Sequence, residues 1–337
     1  MILNEILRED FELILARATP TLRSMAGSRL LITGAAGFIG SYLMELFGYA
    51  NENYFSKPCE VVGVDTWVAA SRTPVLTTHV MLGSVIVDGF DWCVHAASIA
   101  SPKIYMAKPL ETIAANIDLT RQVLGLSTAA RGVLHMSSSE VYGDPSVVPT
   151  PETYWGNVSF TGPRAVYDES KRMSETLCQI YFQQFGVPVK VARPFNIYGP
   201  GQCLDDGRVV PQLIRSVLKD ETFPVYGGGY ATRSFCYVAD AVVQLLAVLL
   251  DGQPGEAYNV GDSISELSIA KLALEARRWL PGLKINIVAQ HATLTDAPTR
   301  RRPDTNKVSK LAAYPVTTLD QGIKRTFAYY ANRSFDI

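Results

Sequence analysis

The 337-residue chain lacks long apolar runs, lacks clustered cysteines and carries almost no net charge. A membrane-spanning helix takes about 20 consecutive apolar residues, and no stretch approaches that length, so no membrane partner is expected. A balance of 31 basic and 32 acidic side chains gives no basic surface of the kind a nucleic acid requires. The five cysteines, Cys59, Cys93, Cys178, Cys203 and Cys236, are scattered without metal-ligand spacing. They read as reduced, mostly buried thiols of a cytoplasmic protein, with no metal site. Internal repeats and low-complexity segments are also missing. Residues 1–26 set Glu5, Arg8, Glu9, Asp10 and Glu12 among leucines. That pattern predicts a short amphipathic helix, and it has no uninterrupted apolar stretch such as a signal peptide carries. What is present is a 47% hydrophobic chain, long enough to bury a large core in one or two domains.

Arg29 to Thr33 is a short apolar run of strand type, followed at once by Gly34-Ala35-Ala36-Gly37-Phe38-Ile39-Gly40 and an apolar helix-like segment. Strand, glycine turn and helix in this order suit a dinucleotide. Gly34, Gly37 and Gly40 let the backbone turn tightly, approach a pyrophosphate and pack the new helix on the sheet. Glu60 to Asp65 is a second strand ending in an acid, the place where such folds hold the adenosine ribose. Asp65 would repel a 2'-phosphate, so NAD is preferred over NADP, with Arg72 nearby weighing the other way.

The alternation continues with strands at Trp92 to Ala96 and Val133 to Ser137, separated by a helix from Leu110 to Thr128. A further strand is expected at Val189 to Arg193. This is the pattern of an α/β Rossmann-type, doubly wound parallel sheet. Asp144 to Pro163 is expected to be a loop over the site and Pro194 to Gly207 irregular. Beyond it come helices at Val209 to Lys219 and Ala239 to Leu250, with extended segments at Phe223 to Tyr226 and Ser234 to Val238. The tail adds helices near Glu266 to Leu280 and Leu319 to Ala331. The expected organisation is an N-terminal helical extension over 1–26 and a Rossmann domain over 27–198, completed by about 239–262. A smaller mixed α/β lobe takes 199–238 and 263–337.

Tyr167 and Lys171 stand four residues apart, one helical turn, so phenol and ammonium share a face. A neighbouring cation favours the phenolate, and such a tyrosine can take a proton from a sugar or alcohol hydroxyl while hydride leaves the same carbon.

Four motifs thus stand in order: the glycine turn, Ser137-Ser138-Ser139-Glu140-Val141-Tyr142-Gly143, Tyr167-x-x-x-Lys171, and Arg193-Pro194-Phe195-Asn196-Ile197-Tyr198-Gly199-Pro200. Over about residues 27 to 330 the chain resembles the extended short-chain dehydrogenase/reductases that act on nucleotide sugars. Within that group it is most similar to the UDP-glucuronate decarboxylases. The stretches that carry this likeness are Tyr154 to Val158, Gly162 to Arg172, Asp206 to Val210, Val225 to Gly227 with Thr232 to Phe235, and Arg301 to Asp304.

The resemblance implies oxidation at the sugar C4 by bound NAD, followed by a step chosen by the groups around the 4-keto sugar. Ser138 matches the residue that hydrogen-bonds the C4 hydroxyl beside Tyr167. Dehydratases carry Asp-Glu at the next two positions and epimerases small or neutral residues, whereas decarboxylases pair Ser with Glu, as Ser139 and Glu140 do. Arg301 matches the arginine placed to protonate the enolate carbon after loss of CO2. The likeness puts Phe38, Ile39, Ala96, Ala97, Ser98, Asn116 and Arg193 on the cofactor with the three glycines, Asp65, Tyr167 and Lys171. It puts Tyr105, Asn196, Arg208, Tyr226, Arg233 and Arg301 on a nucleotide-diphosphate sugar, with guanidinium forks suited to phosphate. It also implies a homodimer through a four-helix bundle built from Leu110 to Thr128 and Tyr167 to Phe185. The chain departs from the pattern after Asp65, where Thr66-Trp67-Val68-Ala69-Ala70 intervenes, at Gly83-Ser84 near the adenine, at Lys103, and at Asn116 to Thr120. The competing readings are a 4-epimerase or dehydratase on a neutral hexose and a non-catalytic NAD-binding scaffold.

Overall fold

The computed structural model describes residues 4–67, 79–83, 85–289, 298–312 and 315–331; Arg72, Val68 to Ala70 and Ser84 lie outside them. The chain opens with α1 (Glu5–Arg17), then β1 (Arg29–Thr33), α2 (Phe38–Asn53), β2 (Glu60–Val64), β3 (Val80–Gly83) and β4 (Trp92–His95). Next come α3 (Pro102–Ala107), α4 (Pro109–Asn116), α5 (Asp118–Leu126), β5 (Gly132–Met136), α6 (Ala165–Phe185), β6 (Val189–Pro194) and β7 (Ile197–Tyr198). They are followed by α7 (Val209–Leu218), β8 (Thr222–Tyr226), β9 (Thr232–Ser234), β10 (Cys236–Tyr237), α8 (Val238–Asp251), β11 (Ala257–Val260) and β12 (Glu266–Ser268). The last are α9 (Ile269–Trp279), β13 (Lys284–Val288), β14 (Arg300–Arg301) and α10 (Leu319–Ala331).

Seven strands form one sheet in the order β11-β6-β5-β4-β1-β2-β3, and every neighbouring pair is parallel. The period of two along each strand divides the core. Leu30 and Ile32 join the larger apolar cluster with α1, α2 and α8, while Leu31 faces a second cluster with Val123 and Cys178 of α5 and α6. Helices therefore cover both faces, the Rossmann arrangement expected, which leaves the strands as nearly unbroken apolar runs. β1 lies between β2 and β4, so the strand order reverses there and opens a crevice at the strands' carboxyl ends. Above that crevice, β8 pairs in parallel with β13, and β9 pairs with β12 and β14. Among the described residues no helix is long and apolar enough to cross a membrane.

Three expectations need correction. The helix expected from Leu110 to Thr128 is broken at Ile117, whose φ of −108° departs from helical geometry, into α4 and α5, and the Thr120 hydroxyl donates to the Asn116 carbonyl at 2.7 Å across the junction. The helix expected from Glu266 begins only at Ile269, because Ser268 caps it by accepting from the Lys271 amide at 3.1 Å. The preceding residues instead pair with β9. β7 also interrupts the stretch expected to be irregular, pairing with β10.

The N-terminal helix is part of the core. Leu7, Phe11 and Ile14 recur at helical spacing and are buried. Asp10, on the same helix, accepts from Tyr42, Tyr237 and Arg325 at 3.0, 2.7 and 2.7 Å. Burial raises its carboxyl, and the Arg325 charge opposes that shift.

Candidate active site

A cleft of roughly 610 Å³ lies at the carboxyl edge of the sheet, lined at one end by Gly34, Gly37, Phe38, Ile39 and Gly40. Gly34 has φ +72°, and a Cβ there would stand 2.7 Å from the Ala96 backbone. A Cβ on Gly40 would stand 2.0 Å from the Gly34 carbonyl oxygen. The close turn therefore exists only with glycine at both positions, and it leaves the α2 N-terminus, which has no side-chain cap, facing the cleft. Unsatisfied amides at a helix start suit a pyrophosphate, so these residues fit a dinucleotide. Asp65 accepts from the Ala36 amide at 2.8 Å, which fixes its carboxylate against the glycine turn. Ala96 and Ser98 line the cleft. Behind them Ala97 donates to Thr33 at 3.3 Å, Ser98 donates to Asn116 at 2.8 Å, and Asn116 donates to Ser170 at 2.8 Å.

Tyr167 and Lys171 sit on the buried face of α6 and both line the cleft. The Lys171 ammonium lies 6.0 Å from the Tyr167 ring centre and donates to the Met136 carbonyl at 2.7 Å. Burial lowers Lys171 to about 8, against the pull of Glu175. Burial raises the Tyr167 phenol, and its hydrogen bond with Ser138 and the charge of Arg208 act the other way. Tyr105 stacks on Tyr167 with ring centres 5.2 Å apart and planes 11° from parallel, and its buried hydroxyl has no hydrogen-bond partner among the described residues.

Ser138 heads a short turn and accepts from the Glu140 amide at 3.2 Å. That turn aims Glu140 at two guanidinium groups. Arg301 donates to both carboxylate oxygens, at 2.7 and 2.5 Å, and Arg164 pairs with one of them. Burial alone would raise the Glu140 carboxyl, but the charges of Arg301 and Arg164 hold it down at about 2. The three arginines part company: Arg301 is buried and lines the cleft, Arg300 beside it on β14 pairs with Glu266 at 2.7 Å, and Arg302, just past the strand, donates to the Ser263 carbonyl at 2.6 Å. Ser139 is buried beside Glu140 and lines the cleft.

Asn196 and Arg208 complete the far wall. Asn196 holds a left-handed φ of +42° and donates to the Ser234 carbonyl at 2.9 Å. Arg208 donates to the Ala100 carbonyl at 3.3 Å and pairs with Asp206 at 3.4 Å. Arg233 stands behind Arg301, donating to the Thr232 and Pro298 carbonyls at 2.7 and 2.8 Å. Burial, then the charge of Arg301, pulls its guanidinium down to about 9. Tyr226 is half-exposed at the end of β8. Neither Arg233 nor Tyr226 lines the cleft.

Arg193 does not reach the cofactor end. Its guanidinium forks onto Glu175 at 2.9 and 2.6 Å, touches the Tyr142 hydroxyl at 2.7 Å, and lines a separate hollow of about 320 Å³. Glu175 in turn accepts from Ser137 at 2.5 Å, so Arg193 braces the strand end from behind. Sequence reasoning missed Arg164. Its signal was its place one helical turn before Tyr167 and Asp168.

These features define a dinucleotide-dependent enzyme of the short-chain dehydrogenase type, and residues 30–261 match the NAD dependent epimerase/dehydratase family, to which the chain belongs. It is 38% identical over 312 residues to UDP-glucuronic acid decarboxylase 1 of Xenopus tropicalis, a match covering 90% of this chain and 72% of that one. It is 37% identical over 306 residues to UDP-glucuronic acid decarboxylase 3 of Arabidopsis thaliana, covering 88% and 86%. Among solved structures it resembles the UDP-glucuronic acid 4-epimerase of Bacillus cereus in complex with UDP-glucuronic acid and NAD. There the TM-score is 0.73 and the identity 26%, with 90% of this chain and 99% of the other covered.

Proposed function

We propose that the protein decarboxylates UDP-glucuronate to a UDP-pentose through a 4-keto sugar, with NAD reduced and reoxidised in one cycle. The observation that carries the reading is Glu140, held by Arg301 and Arg164 next to Tyr167, with Ser139 where a dehydratase needs an acid. Bound in the glycine cradle, NAD supplies the hydride acceptor and donor for C4. Asp65 at the end of β2 meets a ribose hydroxyl, and its charge disfavours a 2'-phosphate.

Tyr167 takes the proton of the C4 hydroxyl, which Ser138 orients through their shared hydrogen bond. Lys171 holds positive charge beneath that phenol. A ketone at C4 stands β to the carboxylate, so the C5–C6 bond breaks with its electron pair moving into the C4–C5 enolate, and CO2 leaves. Arg301 gives a proton to C5 and regains one from solvent, the ionised Glu140 positions Arg301, and Tyr167 returns its proton to O4. The balance is one proton consumed and one CO2 released. Asn196 and Arg208, which line the cleft, are assigned to the nucleotide diphosphate, and the expected contacts of Arg233 and Tyr226 require these side chains to move to reach it. Tyr105, whose hydroxyl has no hydrogen-bond partner among the described residues, is assigned to the sugar. Mass spectrometry of the product from UDP-glucuronate tests the reading: loss of CO2 supports it, whereas unchanged mass indicates a 4-epimerase and loss of water a dehydratase.

Residues 27–198 with 239–262 are assigned to the dinucleotide-binding domain and 199–238 with 263–337 to the sugar-nucleotide lobe. A cytoplasmic homodimer is part of the same proposal. Its support is a row of exposed apolar side chains on the α3 to α6 face, Met106, Leu110, Ile113, Leu126, Met173, Ile180 and Phe185, arranged for a four-helix contact across a two-fold axis. Light scattering that gives a monomer overturns it.

A further inference from the structure

We infer that Arg164 is a positioning residue that keeps Glu140 ionised and anchored to the Tyr167 helix while Arg301 is drawn toward the sugar; the inference rests on the decarboxylase reading above. Arg301 commits both terminal nitrogens to Glu140, at 2.7 and 2.5 Å. To act on the sugar it must give up at least one of those bonds. The side chains of Glu140, Arg301 and Arg164 are only 14%, 8% and 8% exposed, so a carboxylate left alone there would be strongly disfavoured in its charged form. Arg164 prevents that, because it reaches Glu140 from a different element. Arg301 comes from β14, whereas Arg164 caps the start of α6 and contacts Asp168 one turn on, at 3.8 Å. Its bond to Glu140 is therefore independent of any movement of β14. The groups facing Glu140 are Arg301 from β14, Arg233 from β9, Tyr105 from α3, and Arg164, Tyr167 and Asp168 from α6. Only the three arginines are positively charged. A lysine at this position keeps the positive charge that Arg164 sets against Glu140, so it separates charge from the shape of the guanidinium.

The test compares Arg164→Lys and Arg164→Met with the wild type on UDP-glucuronate. The methionine variant is expected to lose about tenfold or more in kcat with KM within about threefold. The acid limb of its kcat profile moves upward toward the ordinary glutamate range, and enzyme-bound NADH accumulates during turnover because C4 is still oxidised while later steps stall. The lysine variant restores the acid limb and most of kcat. A methionine variant with an unmoved acid limb and no bound NADH overturns the inference, as does a lysine variant equally impaired. Arg164→Gln serves in its place where the methionine variant does not fold. Failure of the wild type to release CO2 overturns the decarboxylase reading instead, which separates the two.

Discussion

Arg301 grips both carboxylate oxygens of Glu140, at 2.7 and 2.5 Å, across 161 residues of chain. This contact ties the turn after β5 to the lobe above the cleft, so it bears on stability as well as chemistry. Glu140→Gln leaves Arg164, Arg233 and Arg301 facing one another without their carboxylate. The expected loss at neutral pH is about 3 kcal/mol, measured by urea unfolding. Since the folded-state carboxyl is held at about 2 against an ordinary 4.5, the wild-type advantage is full above pH 4.5. It fades as pH falls toward 2. A gap that stays constant across that window contradicts the assignment.

Lys171 titrates near 8 because it is buried, so it loses its charge above that pH. The pH profile of kcat/KM is expected to fall on its alkaline side through a value near 8. Lys171→Met should remove that limb and cost about 10²- to 10³-fold in kcat. Tyr167→Phe should retain bound NAD and the wild-type melting temperature while losing at least about 10³-fold in kcat.

Gly40→Ala places a methyl group 2.0 Å from the Gly34 carbonyl, a distance backbone cannot accommodate without shifting the turn. The variant is expected to purify with less bound NAD and to melt at lower temperature. Gly186→Ala is the control for strain alone, with φ +68° but open space around the new methyl. It should lose stability and keep the cofactor.

Asp10→Ala leaves Tyr42, Tyr237 and Arg325 without their shared acceptor. The expected cost is about 3 kcal/mol of unfolding free energy, with kcat at low temperature near wild type. Equal loss of both would mean that α1 shapes the cleft as well as the core.

The five inner strands of the sheet, β1, β2, β4, β5 and β6, were legible as short apolar runs, the first followed by a turn punctuated with Gly34, Gly37 and Gly40, whereas the edge strands β3 and β11 were not read as strands. The break at Ile117 was not legible either, since the segment carries neither proline nor glycine at that point to mark it. The tail was harder still: β12 and β14 gain their strand character from β9, a partner that local sequence does not reveal. Within the site, helical spacing pointed to Tyr167 and Lys171, and the family resemblance to Ser138 and Glu140. Contacts between distant segments escaped them. Arg193 lies in the last residues of β6 and was expected on the cofactor, but Glu175 on α6 captures it. Arg164 was in view within its motif, and only the three-dimensional approach of Glu140 shows what it does.

The central claim is that this cleft removes the sugar carboxylate. UDP-glucuronate isotopically labelled at C6 should yield labelled CO2 and unlabelled UDP-pentose in equal amounts, with no net NADH formed. Label that stays in the nucleotide sugar, with the protein carrying NAD, would contradict the account.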